Sequence, residues 1–508
     1  MITQSFTYNI IISFVKNLWK TVKESFFVSL IMSFFDWITK TVTESGIYEW
    51  LGKEGFIKRG CKSSVIFGLI DFIWRFLTET VRKTQLLTRR IFKDSICLSV
   101  FDFLEKKGFF SVDVFLAIFI GGMFVMPHER WNNLYAFLAA GFFALWVVMN
   151  ISSGKLSGKN IAKVGLGIFV FVIAIGVSTV TAFVVSDAVR IALFLVASVL
   201  LCYSVYASVD TKEKLVRFMS IVLFFVSLTA LYAIAQRIMG VEVDLEFVDI
   251  TANEGMPGRV YSTFSNPNNF AELLVLFMPF FVPLFFSLKK KIEKALVLCG
   301  FGVTFIALLM TYSRSSWVGF ALSVVLFVMI YDKRLLIPLA AVAVCAIPFL
   351  PSSVMNRIFT IGSMNDSSNS YRIYIWESCL NIIRDYGITG LGLGPASFRC
   401  VYPGYSSPVA ITAPHSHMLY MEIIIEMGIL GFVSFFGYIF ATIKNAAGAM
   451  RKMDKNLKLY ATAGISALGG IAFVCCAEYV WFYPRVMFAF WIVPGLLLAI
   501  TRIAKKSE

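Results

Sequence analysis

Apolar runs of about twenty residues recur along most of this chain, each closed by a short polar connection, and this repetition leaves few folds open. With 58% hydrophobic and 15% charged residues, the chain carries more apolar surface than one water-soluble core can hide. In a bilayer every backbone N–H and C=O must be satisfied within the protein, so runs of this length read as helices. The expected fold is an all-α integral membrane protein with about twelve transmembrane helices, a long extracytoplasmic helical loop and an N-terminal amphipathic helical region. Spans are predicted at 111–127, 131–150, 161–181, 188–207, 217–236 and 267–287, then at 295–311, 316–331, 335–350, 417–442, 459–477 and 484–501.

Basic residues in short connections stay on the cytoplasmic side, which gives the orientation. One set of connections holds Lys155 and Lys159, Lys212, Lys214 and Arg217, the run KKKIEK at 289–294, Lys333 and Arg334, and Arg451 to Lys458; the tail adds Arg502, Lys505 and Lys506. These are read as internal, so both ends of the helical body are cytoplasmic. The opposite connections contain no lysine, and their basic residues are arginines, among them Arg130, Arg190, Arg237, Arg259, Arg314, Arg357, Arg372, Arg384, Arg399 and Arg485. The topology rule explains a low number of cations there but not their uniform identity. Arginine grips phosphate oxygens in pairs, which points to an anionic ligand on the outer side. The alternative is internal pairing with the acidic loop residues Glu242, Asp244, Glu246, Asp249 and Glu254.

Two regions are set apart from the body. Residues 1–110 have shorter apolar runs interrupted by charge, with near-repeats TVKES at 21–25 and TVTES at 41–45 and a looser copy, WRFLTETV, at 74–81. They are read as cytoplasmic amphipathic helices suited to the membrane interface or to a cytoplasmic partner, distinct from a polytopic domain at 111–508. Within that domain, 351–414 forms an outer lid loop: Arg372, Trp376 and Leu380 recur every four residues, placing Arg and Trp on one helix face. The glycine-rich GITGLGLG that follows lacks the lysine and strand of a nucleotide loop and is read as a flexible closing segment.

Two of the three histidines, His415 and His417, stand where that loop enters an apolar span, an unusual place for a proton-transfer group. With Ser416 between them their rings share no helical face, so one is expected to face a site and the other to cap the helix or meet solvent. Glu422 and Glu426, one turn apart in the following span, are costly carboxylates. Glu422 suits orienting a histidine, pairing an arginine or standing beside a substrate, and Glu426 suits locking two helices. His128 reads as a solvated turn residue. The nine cysteines show no zinc spacing and read mostly as small core residues; Cys379 and Cys400 share the outer loop, where a disulfide is open.

Two further motifs lie on the outer side. In GRVYSTFSNPNNFAELL, Gly258 to Leu274, an Asn cap and a Pro start a helix whose free amides, with Arg259 and Asn268, outline an anion site; an ordinary capped helix is the plainer reading. In TYSRSSWVG, Thr311 to Gly319, Arg314 lies near membrane depth and requires a fixed partner, with Glu272 as the structural candidate.

In order and spacing, GRVYSTFSNPNN, YSRSS, YRIYIW with GLGLGPASF, and His417 followed by Gly428-Ile-Leu-Gly431 resemble the O-antigen ligase and polymerase superfamily of bacteria over residues 111–500. Met418 departs from the Asn, Ser or Gln that typically follows the histidine in its ligases, which blurs ligase against polymerase. The resemblance implies a metal-independent, cofactor-free glycosyltransferase in the bacterial plasma membrane with its active site on the extracytoplasmic side. Its donor would be a polyprenyl-diphosphate-linked glycan, and its acceptor a hydroxyl of a glycan, lipid or protein. Arg259 and Arg314 would then bind the diphosphate, His417 would be catalytic, and Arg372 would be a third phosphate or sugar contact, with Trp376, Asn268, His415 and Glu422 on the substrate side. The chemistry is coherent on its own terms: a diphosphate leaving group needs positive charge, and an acceptor hydroxyl needs a base. A membrane transporter or lipid-linked glycan flippase competes in class. Its polar residues would be expected at mid-membrane rather than gathered on one side. Nothing in the chain points to nucleic acid.

Overall fold

The computed structural model describes residues 111–130, 166–241, 257–362 and 367–506, with isolated positions at Ser33, Phe72, Phe76, Glu79, Lys83, Leu87 and Gly141. The chain divides into two compact units, Met1–Val81 with Ile337–Ala341, and Arg82–Leu336 with Val342–Glu508; the site lies wholly in the second. The amphipathic repeats expected in 1–110 and the span expected at 131–150 fall outside the described residues.

Among the described residues every regular element is helical. In chain order they are α1 (Val112–Val125), α2 (Leu166–Val180), α3 (Val185–Ser208), α4 (Lys212–Met239), α5 (Pro267–Ser287), α6 (Lys291–Met310), α7 (Arg314–Asp332), α8 (Leu336–Ala346), α9 (Ser352–Phe359) and α10 (Ser367–Tyr386). They continue with α11 (Pro395–Val401), α12 (Leu419–Ala449), α13 (Lys455–Val474) and α14 (Pro484–Lys506). Seven of the described helices are long and apolar enough to cross a membrane, and one bent pair, Arg314–Phe349 with Ser352–Phe359, raises that to eight. The described parts of the spans expected at 111–127 and 161–181 are helices of 14 and 15 residues. The protein is polytopic, and the described helices do not add up to twelve spans.

Local chemistry sets the helix starts. Thr211 caps α4 by accepting from the Lys214 N–H at 3.2 Å, Asn266 caps α5 by accepting from the Asn268 N–H at 2.8 Å with Pro267 behind it, and Asp454 caps α13 through the Leu457 N–H at 2.8 Å. The central helix is α14, with 94% of its apolar window buried, whereas α6 at 17% keeps most of its surface for lipid. Where α7 crosses α13, Gly319 meets Gly470 so closely that a Cβ on Gly470 would stand 2.5 Å from the Gly319 carbonyl oxygen, the small-residue contact typical of membrane helices.

The connections gather at two ends. One end holds the lysine-bearing turns, where Lys212 pairs with Asp454, Arg217 with Asp113 at 2.9 Å, and Arg502 donates to the Val209 carbonyl at 3.1 Å. The arginine-only connections interlock at the other end. There α10, α11 and the coil beyond them build a second small core from Ile375, Cys379, Ile382, Leu391, Phe398 and Tyr402, closed against Ile425 of α12. Leu380, expected on the working face of α10, is 56% exposed and points away, because the buried face runs through Ile375, Cys379 and Ile382. Cys379 is buried, Cys400 is exposed and both are free, so no bridge joins them.

The glycine-rich segment is not a flexible strap. Its second half, residues 391–394, lies buried against a kink of α12, with the Leu391 N–H donating to the Ile425 carbonyl at 2.7 Å and the Gly392 N–H to that of Glu426 at 3.1 Å, while Ile388 is exposed. The kink sits at Gly428, whose φ of 61° and ψ of −169° belong to a region open in practice only to glycine. A Cβ there would stand 2.4 Å from the Ile388 carbonyl oxygen. Gly428→Ala is therefore expected to cost about 1–3 kcal/mol from backbone strain alone. The check is a lowered thermal midpoint of the full chain in detergent, with new protease cleavage in 387–394.

Candidate functional site

The turn before α5 is tied down from several sides. Ser262 has a positive φ of 54°, held because the Gln236 side chain donates to its carbonyl at 3.0 Å and accepts from its N–H at 2.7 Å. The Thr263 hydroxyl donates to the Phe124 carbonyl at 2.6 Å. Fully buried Arg485, in the first turn of α14, donates to the Met126 and Thr263 carbonyls, each at 2.6 Å, and lies 4.4 Å over the Phe264 ring. This scaffold presents Arg259, only 7% exposed, whose Nε donates to the Thr311 carbonyl at 2.7 Å and whose Nη2 donates to Asn268 Oδ1.

Thr311 begins the second motif, where Tyr312 also has a positive φ, 51°. The Tyr312 carbonyl accepts from Arg357 Nε at 3.3 Å. Arg314 does not pair with Glu272. Standing at the first turn of α7, it bridges the end of α9 and the start of α10: Nη1 donates to the Thr360 carbonyl at 3.0 Å and Nη2 to Asn369 Oδ1 at 3.3 Å.

The histidines occupy a coil ahead of α12, not a helix, so the helical-face argument does not apply to them. A φ of 55° at His417 folds the chain back until the two rings lie 4.2 Å apart, and the His417 N–H donates to His415 Nδ1 at 3.0 Å. That bond leaves the proton of neutral His415 on Nε2. His415 is buried, meeting Phe482 at 4.5 Å and Tyr479 at 5.5 Å, and so neither caps a helix nor meets solvent. Among the described residues no group hydrogen-bonds His417 Nδ1. Burial, then the charge of Arg372, pushes His415 down to about 3; burial, then His415 and Arg372, holds His417 well below the ordinary imidazole range.

Ser416, between the histidines, is the anchor of this coil. Its N–H donates to Glu422 Oε2 at 2.7 Å and its carbonyl accepts from Trp376 Nε1 at 3.1 Å. Glu422 is fully buried; through Oε2 it holds the coil at Ser416, while its Oε1 has no hydrogen-bond partner among the described residues. Glu426 joins α12 to the glycine-rich segment through the Gly394 N–H at 3.1 Å and to the α13–α14 connection through the Tyr479 hydroxyl at 3.2 Å.

One residue draws the motifs together. Glu478, in the α13–α14 connection, accepts from Arg372 of α10 at 2.8 Å and from Asn268 Nδ2 at 2.9 Å on the same oxygen. The chain of contacts Arg372–Glu478–Asn268–Arg259 therefore links three connections that are far apart in sequence. Burial, then the like charge of Arg357, lowers Arg259 to about 9, with Glu478 opposing and Arg314 and Arg372 adding to the fall. Four guanidinium groups thus share one small region, and Arg259 stays protonated at neutral pH.

The O-antigen ligase family matches residues 299–436, which include Arg314, Arg357, Arg372, Trp376, His417 and Gly428. Over that stretch the chain is similar to the O-antigen ligase family, which supports a place in the ligase and polymerase superfamily. No curated protein matches it. The four non-glycine residues of positive φ among the described residues are Ser262, Ser265, Tyr312 and His417, all in the motifs singled out from sequence. Strain of this kind collects where geometry is used. Sequence reasoning did not reach Glu478 or the structural role of Arg485. A signal existed for the first, since Glu478 is the lone carboxylate of an otherwise apolar CCAEYVWFY segment.

Proposed function

We propose that the protein transfers a glycan from a polyprenyl-diphosphate donor to an acceptor hydroxyl at the extracytoplasmic face of a bacterial plasma membrane, in the assembly of cell-surface polysaccharide or glycoconjugate. The observation that carries this reading is the gathering of Arg314, Arg357 and Arg372 around Arg259, tied by the Arg372–Glu478–Asn268–Arg259 contacts, with Arg372 also acting on the histidine pair. The arginines meet the diphosphate as charge builds on it, and bidentate N–H pairs suit its oxygens. His417, neutral at physiological pH, accepts the proton of the attacking hydroxyl. The acceptor oxygen bonds to the anomeric carbon as the carbon–oxygen bond to the diphosphate breaks on the opposite face. Configuration inverts, the electron pair leaves with the diphosphate, and no step calls on a metal.

Release of polyprenyl diphosphate from a defined lipid-linked oligosaccharide, by the full chain in detergent, tests the reading; absence of release with every acceptor class would sink it. One transfer per acceptor marks a ligase, and a ladder of lengthening products a polymerase. Arg314→Lys keeps the charge but cannot span Thr360 and Asn369 together, so transfer should fall by about 10²-fold, the scale for losing one preorganised donor. Initial rates at saturating donor check this.

A further inference from the structure

Behind the histidines, beyond Phe482 and Tyr479, is a cavity of about 280 Å³ that the transfer mechanism leaves unused. Its walls come from the turn at His128, the start of α3, α11 and the 479–484 connection. Aromatic rings dominate the lining. His128 and Tyr483 stack at 5.2 Å and share a 3.3 Å contact between Nε2 and the hydroxyl, and Phe482 is 41% exposed. Two guanidinium groups complete it. Arg190 forms a 2.8 Å pair with Asp187, and Asp187 also accepts the Ala396 N–H at 3.1 Å. Arg399 is exposed and has no hydrogen-bond or ion-pair partner among the described residues.

Flat rings with polar edges offer stacking to the C–H face of a sugar and hydrogen bonds to its hydroxyls. An adjacent unpaired guanidinium adds a grip for a carboxylate or phosphate oxygen. The volume lies just under the usual range of small-molecule pockets, roughly 300–1,000 Å³, and so suits one or two sugar rings. The wall is shared with the site: the His415 ring is 4.5 Å from Phe482 on one side and 4.2 Å from His417 on the other. None of Arg259, Arg314, Arg357 and Arg372 lines the cavity, so a ligand there approaches the histidines away from the diphosphate.

Resting on the glycan-transfer reading, we propose that this cavity is an acceptor subsite for an acidic sugar, one residue or more along the chain from the hydroxyl that reacts. Arg399 recognises its anion, and Tyr483 and Phe482 carry its ring. The sugar thereby sets which acceptors enter.

Binding to the purified full chain tests this without any transfer step. The probes are a galacturonic acid trisaccharide and the neutral galactose trisaccharide, read by tryptophan fluorescence because Trp481 borders the cavity. The acidic probe should bind about tenfold tighter, the worth of one charge-assisted hydrogen bond. Arg399→Gln, a surface change that leaves the fold intact, should bring the two probes to near-equal affinity, while Arg259→Gln should preserve the preference. Equal affinities in the unaltered chain, no binding of either probe, or loss of the acidic probe's advantage in Arg259→Gln would each overturn the subsite. Sugar binding without diphosphate release would instead count against the transfer reading alone.

Discussion

His417→Ala is expected to lower glycan transfer by about 10²–10⁴-fold, the usual contribution of a positioned general base. The position is demanding, since its φ is 55°, and alanine pays for that conformation whatever the chemistry. His417→Asn is the sharper variant, because asparagine tolerates the left-handed region and retains the N–H that donates to His415 while lacking a basic nitrogen. Both variants should lose turnover, and the asparagine variant should keep its thermal midpoint close to that of the unaltered chain. Full transfer by His417→Asn would remove the base from the mechanism. The pH dependence carries a second expectation. Burial, His415 and Arg372 all disfavour the imidazolium, so His417 stays neutral as pH falls through 6.5. The acid limb of kcat/KM should therefore lie below pH 6.5, and a limb at or above that value would contradict the assignment. The sign for stability follows from the same shifts. Unfolded chain takes up protons at His415 and His417 near pH 6.5 that the folded chain rejects, so acid below that pH should depress the thermal midpoint.

What the sequence made legible was local or periodic. Apolar run lengths located the helices, the Asn-Pro pair located the start of α5, and the sparse polar motifs located Arg259, Arg314 and His417. Contacts across long stretches of chain were not legible. Glu478 meets Asn268 across 210 positions and Arg485 meets Met126 across 359, and neither separation leaves a trace in a window of sequence. Conformation misled in two places. The histidine pair was judged by helical geometry, whereas a positive φ brings rings two positions apart together. GITGLGLG was read as mobile because glycine is permissive, but here that permissiveness serves close backbone approach. Gly390 faces the Glu426 carbonyl so nearly that a Cβ would stand 2.6 Å from its oxygen.

Arg259→Lys separates charge from geometry at the proposed diphosphate site. Lysine keeps one positive charge but cannot donate to the Thr311 carbonyl and to Asn268 from a single planar fork. The Asn268 oxygen would lose its donor, and the Asn268–Glu478–Arg372 chain would lose one end. Transfer should drop by about 10²–10³-fold in kcat, on the scale of removing a preorganised donor to a developing charge. The control is the same change at Arg485. That guanidinium is fully buried and donates to the Met126 and Thr263 carbonyls, so Arg485→Lys leaves buried acceptors unpaired at about 1–3 kcal/mol each. Its signature should be a depressed thermal midpoint, with residual folded enzyme turning over at a much smaller deficit than Arg259→Lys. If the two variants lose stability alike and recover kcat alike once corrected for folded fraction, Arg259 is a structural staple and the diphosphate contacts fall to Arg314, Arg357 and Arg372. If Arg259→Lys folds normally and fails in turnover, its fork is used on the leaving group.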